Sequence, residues 1–515
     1  MGEGLLRFYR ERLRESWKIA FFSALAVGLI AHFFKFTNYL PNHDALYFTY
    51  GTLDYPPNGR WLLPLACMLS SYYDLPWLNG LLSLCWIGLT AAVITDVFGL
   101  RGRFACFLTG ALLVSFPVVT NTFFFEFTAD GYMLAMLLAA LGVRFSLVGE
   151  RRPWTLPAAM LCICLSCGIY QAYISFALLL SVCHFMQELL TEAHSARERG
   201  TWIGRQFLVY GGGLLLFWLV WQLILRLRGL TVSAYQGIDQ LGHVGPQALL
   251  HALRESAATL ARFFLGGNVF RYGWSLYAVL NLVFLLFLAA MLLYAAGKTQ
   301  LWRRAGSVAL LLLCLLLLPL FAFIWAFLSP GVGYHMLMLQ SLCVPYLFGV
   351  ALCDRFGTPR VSSLATVLFL ALVLKFTVQA NICYYEMEQC MRRTEATATE
   401  MLTRIHELDD GSVRRIAFLG GGDQSLMVSS YTPALREITV HAHQLRENLL
   451  FDNNYAGLYM RQIMGVDYKS VDEEELRALE ESEETKGMAV WPARDSLRLV
   501  GDTAVIRLPV PERLY

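Results

Sequence analysis

The hydrophobic positions of this chain fall into long, nearly unbroken runs separated by short polar turns, the pattern of membrane spans rather than of half-buried elements around a soluble core. The first run, Trp17 to Phe36, follows a basic, amphipathic amino terminus and reads as a signal anchor, since no small-residue cleavage site follows it. Leu62 to Ser70 is too short to cross unaided and predicts an interfacial helix. Spans are predicted at about Trp77–Val97, Phe104–Thr120, Gly131–Val148, Phe207–Leu225, Ser275–Ala296, Ser307–Leu328, Met336–Leu352 and Val361–Ala380. Thr155 to Leu190 is about twice one span in length and has arginines beyond both ends, which predicts two short spans with a break near Cys167-Gly168. About eleven crossings result. The stretch NTFFFEFTAD reads as a loop, and Gln247 to Phe264 as an amphipathic helix within a longer one.

Beyond Asn381 the pattern changes to charged sequence with few long apolar runs. A helix is expected over Cys383–Leu408, strands at RRIAFLGG, AVWPARDSL and TAVIRLPV, and an exposed acidic helix at VDEEELRALEESEE. Gly420-Gly421-Gly422 lacks phosphate-loop spacing and reads as a turn. The expected fold is mainly α: a polytopic transmembrane helical protein with a small C-terminal α/β domain. Its parts are a cytoplasmic amphipathic terminus over 1–16, a transmembrane domain over 17–380 with large outer loops at 37–76 and 226–273, and an extracytoplasmic domain over 381–515.

Composition agrees with that class, for 57% of the 515 residues are hydrophobic and 16% charged, a balance no water-soluble globule holds. The net charge of +2 is spread over many short turns, so it gives no nucleic-acid surface. Arg101 and Arg103, GERRPW, the turn before Phe207, Lys298 with Arg303 and Arg304, and Arg355 with Arg360 fall in alternate turns. The positive-inside rule then places the amino terminus in the cytoplasm, and Asp44 and the C-terminal domain outside a cell membrane. The twelve cysteines sit mostly in apolar runs, where a thiol behaves as a small hydrophobe, and imply no disulfide framework.

The densest candidate chemistry lies in NYLPNHDALYFTYGTLDYPPNGRW, residues 38–61, directly after the first span. Two aspartates, a histidine, an arginine and several aromatics share this loop, where membrane connections are normally bland. Asp44 is the first candidate for chemistry; the competing reading is a solvated loop with an aromatic belt. Arg226, Arg228, Arg254, Arg262 and Arg271 in the second outer loop run against the charge bias. They either meet an anionic ligand or snorkel at the interface. Asp130 either complements the dipole of a helix start or assists at the site. Asp54 reads as a turn residue, and Glu126 within FFFEF sits in a composition shared by sugar-stacking surfaces and interfacial belts.

NHDALYFTYG followed by NGRW, then FTADGYMLAMLLAAL, then GIYQAYISFALLL resembles the polyprenyl-phosphate-dependent glucosyltransferase family II of O-antigen modification, a branch of the GT-C membrane glycosyltransferases. The likeness spans roughly residues 15–380. It implies transfer of a hexose, usually glucose, from a polyprenyl-phosphate donor to a cell-surface glycan acceptor on the extracytoplasmic face. Many GT-C proteins carry paired acidic residues in the first outer loop; here His43 precedes Asp44, so no cofactor is required and a divalent metal is left open. The chemistry itself asks for a carboxylate to take the acceptor's proton, met by Asp44, and for cationic donors to the lipid phosphate. Arg60, Arg262, Arg271 and His335 are the candidates for the second task. His43, Asp130, Tyr170 and Gln171 are the candidates for holding substrate. Rival readings are a lipid-linked glycan flippase or transporter, and a glycan polymerase or ligase.

Overall fold

The computed structural model describes residues 13–48, 55–71, 73–149, 152, 154–191, 195–266, 276–329, 331–421, 449–450 and 452–510. Two compact units emerge: residues 1–37 with 52–381, and residues 38–51 with 382–515.

The described elements, in chain order, are α1 (Glu15–Thr37), α2 (His43–Phe48), α3 (Leu63–Ala66), α4 (Pro76–Phe98), α5 (Arg103–Ser115), α6 (Pro117–Thr122), α7 (Glu126–Val148), α8 (Thr155–Ile169), α9 (Tyr173–Thr191), α10 (Ala196–Arg228), α11 (Pro246–Leu265), α12 (Leu276–Lys298), α13 (Ala305–Ala322), α14 (Ile324–Leu328), α15 (Val344–Phe356) and α16 (Pro359–Leu408). Nine helical segments among the described residues are long and apolar enough to cross a membrane, the run Arg103–Val148 counting as one. That run is broken in its middle: Phe116 is extended, and Pro117, which has no N–H to give, starts α6. Counting α5 and α7 separately and adding the shorter α8 accounts for all eleven expected segments. The chain is a multi-pass membrane protein. Large apolar side chains such as Phe207, Leu293, Leu316 and Leu364 stay exposed on its long helices, as a lipid-facing surface requires.

Local sequence fixes the helix ends. Proline opens α4 and a left-handed Gly99 closes it, while Ser195 and Glu198 form a capping box at the start of α10. Small residues set the closest packing. A Cβ on Gly110 of α5 would lie 2.2 Å from the Ala20 carbonyl oxygen of α1, so those two helices meet backbone to backbone.

One expectation for the membrane unit is corrected. NTFFFEFTAD is not a loop: it is helical through α6, a 3₁₀ turn at Phe123–Phe125 and the start of α7, and all ten residues are buried. Its rings fill the core, so they form neither a sugar-stacking surface nor a belt. Thr155 to Leu190 does form two helices, with the break at 170–172, just after Cys167-Gly168.

In the second unit, β1 (Arg415–Leu419) is central, pairing in parallel with β2 (Lys469–Ser470) and with β4 (Thr503–Arg507), while β3 (Leu497–Val500) runs antiparallel to β4. Helices α17 (Asn453–Gln462) and α18 (Glu473–Glu481) join this sheet, and the latter is the acidic helix predicted from its sequence. AVWPARDSL is not a strand. Pro492 cannot donate to a ladder, and pairing begins only at Leu497. Gly420 and Gly421 adopt left-handed turn conformations, and the Glu480 carboxylate accepts from the Gly420 N–H at 3.4 Å, where a phosphate loop would leave that donor for an anion. The segment holding Asp44 belongs to this unit: Leu46 lies in its core and the His43 ring meets Tyr455 edge-on at 5.4 Å.

Candidate functional site

In the membrane unit one arginine is enclosed by aromatic rings. The turn Pro56–Asn58 ends at Gly59 with φ +76°, and this puts Arg60 beneath the break between α8 and α9. A Cβ on Gly59 would meet Gln171 Nε2 at 2.4 Å; without one, that amide donates to the Asn58 carbonyl at 2.8 Å. The Arg60 guanidinium lies 4.9 Å from the Tyr170 ring centroid and 5.9 Å from those of Tyr55 and Tyr235. One of its terminal nitrogens donates to the Tyr132 hydroxyl at 3.3 Å, and Tyr132 in turn stacks on Tyr170 at 4.5 Å. Its Nε is buried without a hydrogen-bond partner, and no described carboxylate pairs with it. A half-buried cation held by π faces and one hydroxyl keeps most of its donor fork for an anion.

A cavity of about 80 Å³ opens beside it, lined by Tyr170, Gln171, Trp221, Tyr235, Trp325 and His335 among others. The wall is held by hydrogen bonds to backbone: Trp221 Nε1 donates to the Pro56 carbonyl at 2.7 Å and Trp325 Nε1 to the Gln171 carbonyl at 3.2 Å. The Gln236 side-chain amide donates to His335 Nε2 at 2.8 Å, which leaves the ring's proton on Nδ1. Partial desolvation, and then the Arg60 charge, hold His335 below its ordinary pKa, so the ring is neutral near pH 7. Of the residues singled out from the sequence, the structure therefore brings Arg60, Tyr170, Gln171 and His335 to one cavity.

A second cluster lies at the start of α7. The Lys35 ammonium of α1 pairs with Glu126 inside the protein, each side chain 1% exposed. Asp74 is buried within the same electrostatic reach; burial raises its pKa and Lys35 opposes the rise. One lysine thus serves two buried carboxyl groups. Asn79 Nδ2 donates to the Glu126 carbonyl at 2.9 Å and ties α4 to the same point. One turn along α7, Asp130 is buried with neither carboxylate oxygen in a well-formed hydrogen bond, the Ser70 hydroxyl being the polar side chain beside it.

Asp44 and His43 are in the second unit, half-buried, with His43 Nε2 3.3 Å from the Asp44 carboxylate. Arg262 on α11 is half-exposed, donates to Thr259 and Glu255 of its own helix, and does not line the Arg60 cavity. Arg271 and Asp54 lie outside the described residues. Among the described residues no group of three or more His, Cys, Asp or Glu side chains is arranged to hold a metal ion. Sequence reading missed Tyr132, Trp221, Tyr235 and Trp325, which come from distant helices with no shared motif, and it missed Asp74. Lys35 did carry a signal, an ionisable residue inside an apolar run.

The arrangement suits an anion with an uncharged polar portion: a planar fork for phosphate oxygens, aromatic faces and amides for hydroxyl-bearing rings, and no buried carboxylate in the wall. The family model described as Glucosyl transferase GtrII matches residues 33–351, which is more than half of the chain and includes Arg60, Asp130, Tyr170, Gln171 and His335. No curated protein and no solved structure matches the chain.

Proposed function

Because the chain belongs to the GtrII glucosyl transferase family, we propose that it transfers a hexosyl residue, glucose first among them, from a polyprenyl-phosphate donor to a glycan acceptor on the extracytoplasmic face of a cell membrane. The observation that carries this reading is Arg60: a half-buried guanidinium ringed by tyrosines, with no described carboxylate partner, at the edge of an aromatic and amide-lined cavity. In the proposed reaction the acceptor hydroxyl attacks the anomeric carbon, the bond from that carbon to the donor's phosphate oxygen breaks, and the lipid phosphate leaves as an anion. Arg60 receives the charge that grows on the phosphate oxygens. Tyr170 backs the guanidinium, and Gln171, whose Nε2 donates to the Asn58 carbonyl, turns its side-chain oxygen to a sugar hydroxyl. The leaving phosphate needs no acid, whereas the acceptor's proton needs a base. That base is assigned to Asp44 on the surroundings of its own segment.

The buried Lys35–Glu126–Asp74 cluster bears on the transporter alternative. Intramembrane charges mark many transport paths, but Lys35 sits in the last turn of α1 and Glu126 opens α7, at helix ends rather than at the middle of a span. The test is incubation of the purified protein with polyprenyl-phosphate glucose and candidate acceptor glycans, with free lipid phosphate and glycosylated acceptor both measured. Acceptor-dependent release of lipid phosphate in step with sugar transfer is expected. Movement of intact lipid-linked sugar across a vesicle without transfer would replace the reading with a flippase, and transfer only of preassembled oligosaccharide with a polymerase or ligase.

A further inference from the structure

Two turns in the wall of the Arg60 cavity are linked by one glutamine. The first is the 3₁₀ turn Tyr235–Gln240; the second, after α14, holds Ser329, Gly331, Gly333 and His335. Their backbones touch. A Cβ on Gly237 would lie 2.9 Å from the Gly331 nitrogen, the Gly242 N–H donates to the Leu328 carbonyl at 2.8 Å, and the Ser329 hydroxyl sits 2.9 and 2.8 Å from the carbonyl oxygens of Gln236 and Gly237. Gln236 itself holds φ +58°, a left-handed conformation that glycine adopts freely and other residues rarely do. Its side chain crosses to the second turn, where both ends of the amide are used.

The Gly333 N–H donates to Gln236 Oε1 at 2.8 Å. A backbone N–H cannot accept, so this contact fixes which way the amide faces and leaves the amide's NH₂ group against His335 Nε2 at 2.8 Å. The imidazole must then supply a lone pair at Nε2, and its one proton is on Nδ1, which has no hydrogen-bond partner among the described residues. Neither ring nitrogen keeps a free lone pair, so His335 cannot take an acceptor's proton without breaking from Gln236. What it offers is one uncharged N–H in the same cavity as Arg60.

We propose that Gln236 is a positioning residue: its amide holds His335 as the Nδ1–H tautomer, and that N–H donates to an oxygen of the sugar phosphate received by Arg60. The proposal rests on the reading of this cavity as the site of a polyprenyl-phosphate sugar. A neutral donor adds a directed hydrogen bond where Arg60 already supplies the charge.

The experiment is equilibrium binding of polyprenyl-phosphate glucose to the purified full-length protein in detergent between pH 6 and pH 8. Gln236→Glu keeps the length of the side chain and an acceptor for the Gly333 N–H, but turns its other end from donor to acceptor. At pH 8 the neutral ring then carries its proton on Nε2 and presents a lone pair at Nδ1, so affinity should fall about tenfold, the scale of one hydrogen bond to a charged group. The new carboxylate also raises the pKa of the imidazole, so toward pH 6 the ring gains a second proton, the Nδ1–H returns and affinity recovers. Wild-type binding should change by less than about twofold over the same range. The titratable groups lining the cavity are Arg60, Tyr170, Tyr235 and His335, and imidazole is the only type among them that changes charge between pH 5 and 8; Asp239 and Tyr334, on the same two turns, do not line it. Gln236→Glu combined with His335→Asn should therefore show the fall without the recovery. Gln236→Gly suits the backbone and removes only the amide, and it should weaken binding at pH 8 even where the glutamate variant fails to fold. A pH-independent effect of Gln236→Glu, a recovery that persists without His335, or unchanged binding by the glycine variant overturns the positioning role alone. No binding by the wild-type protein overturns it together with the donor-site reading beneath it.

Discussion

At the scale of single residues, Arg60 and Asp44 carry separable claims. Arg60 has a planar fork with one terminal nitrogen on Tyr132 and three tyrosine rings around it. Lysine at this position keeps the charge but loses the fork and the flat contact with Tyr170. Arg60→Lys should therefore weaken donor binding by roughly tenfold, equivalent to about 1.4 kcal/mol, and raise the donor KM more than it lowers kcat. An unchanged donor KM would move the phosphate elsewhere, with Arg262 next to be tested. Asp44→Asn keeps the shape of the side chain and removes its affinity for a proton. Transfer should fall by about 10²- to 10⁴-fold while donor binding persists. Near-normal transfer would withdraw the assignment and pass it to Asp130, the buried carboxylate one turn into α7.

At the scale of elements, the Lys35–Glu126 pair joins α1 to α7 and, through Asn79, to α4. Removing one partner of a buried pair leaves an uncompensated charge, and here two carboxyl groups would lose the lysine that they share. Lys35→Met should cost about 3–5 kcal/mol, seen as a lowered unfolding temperature in detergent. Adding Glu126→Gln should recover part of that loss, because one of the two stranded carboxylates is then gone; no recovery would mean that Lys35 acts through something other than charge. This pairing also shows what a linear reading reaches. The spans were legible because a run of about twenty apolar residues has few alternatives in water or lipid. The helical nature of NTFFFEFTAD was not, because Glu126 and Asp130 look like surface residues until a lysine ninety-one positions earlier and the turn at Ser70 are packed against them. Likewise Arg60, Tyr170, Gln171 and His335 were each singled out, yet Tyr132, Tyr235, Trp221 and Trp325 are ordinary aromatics of spans and loops that become a wall only through tertiary packing. AVWPARDSL failed for a local reason, a proline within a stretch of strand-like composition.

At the scale of the whole molecule, the decisive quantity is the parity of crossings. Helix α16, 50 residues long in all, contains the last apolar run and carries it on into the C-terminal sequence, so the side on which that run ends decides the side of Leu408. The turns rich in arginine, at Arg101–Arg103, before α10 and at Arg303–Arg304, alternate with the turns holding Arg60 and His335, as expected if the former face the cytoplasm. If the amino terminus is cytoplasmic and all eleven segments cross, Asp44, the Arg60 cavity and the C-terminal residues are expected on the outer side, where the proposed lipid-linked donor and surface glycan would be met. Single cysteines at Asp44, Ser412 and Arg303, introduced in a background without native thiols, test this with a membrane-impermeant reagent on intact cells. Asp44→Cys and Ser412→Cys should label, and Arg303→Cys should label only after permeabilisation. Labelling of Asp44→Cys without Ser412→Cys would change the parity after the first span and remove one crossing from the count. Labelling of Arg303→Cys alone would invert the whole arrangement, and with it the face on which transfer takes place.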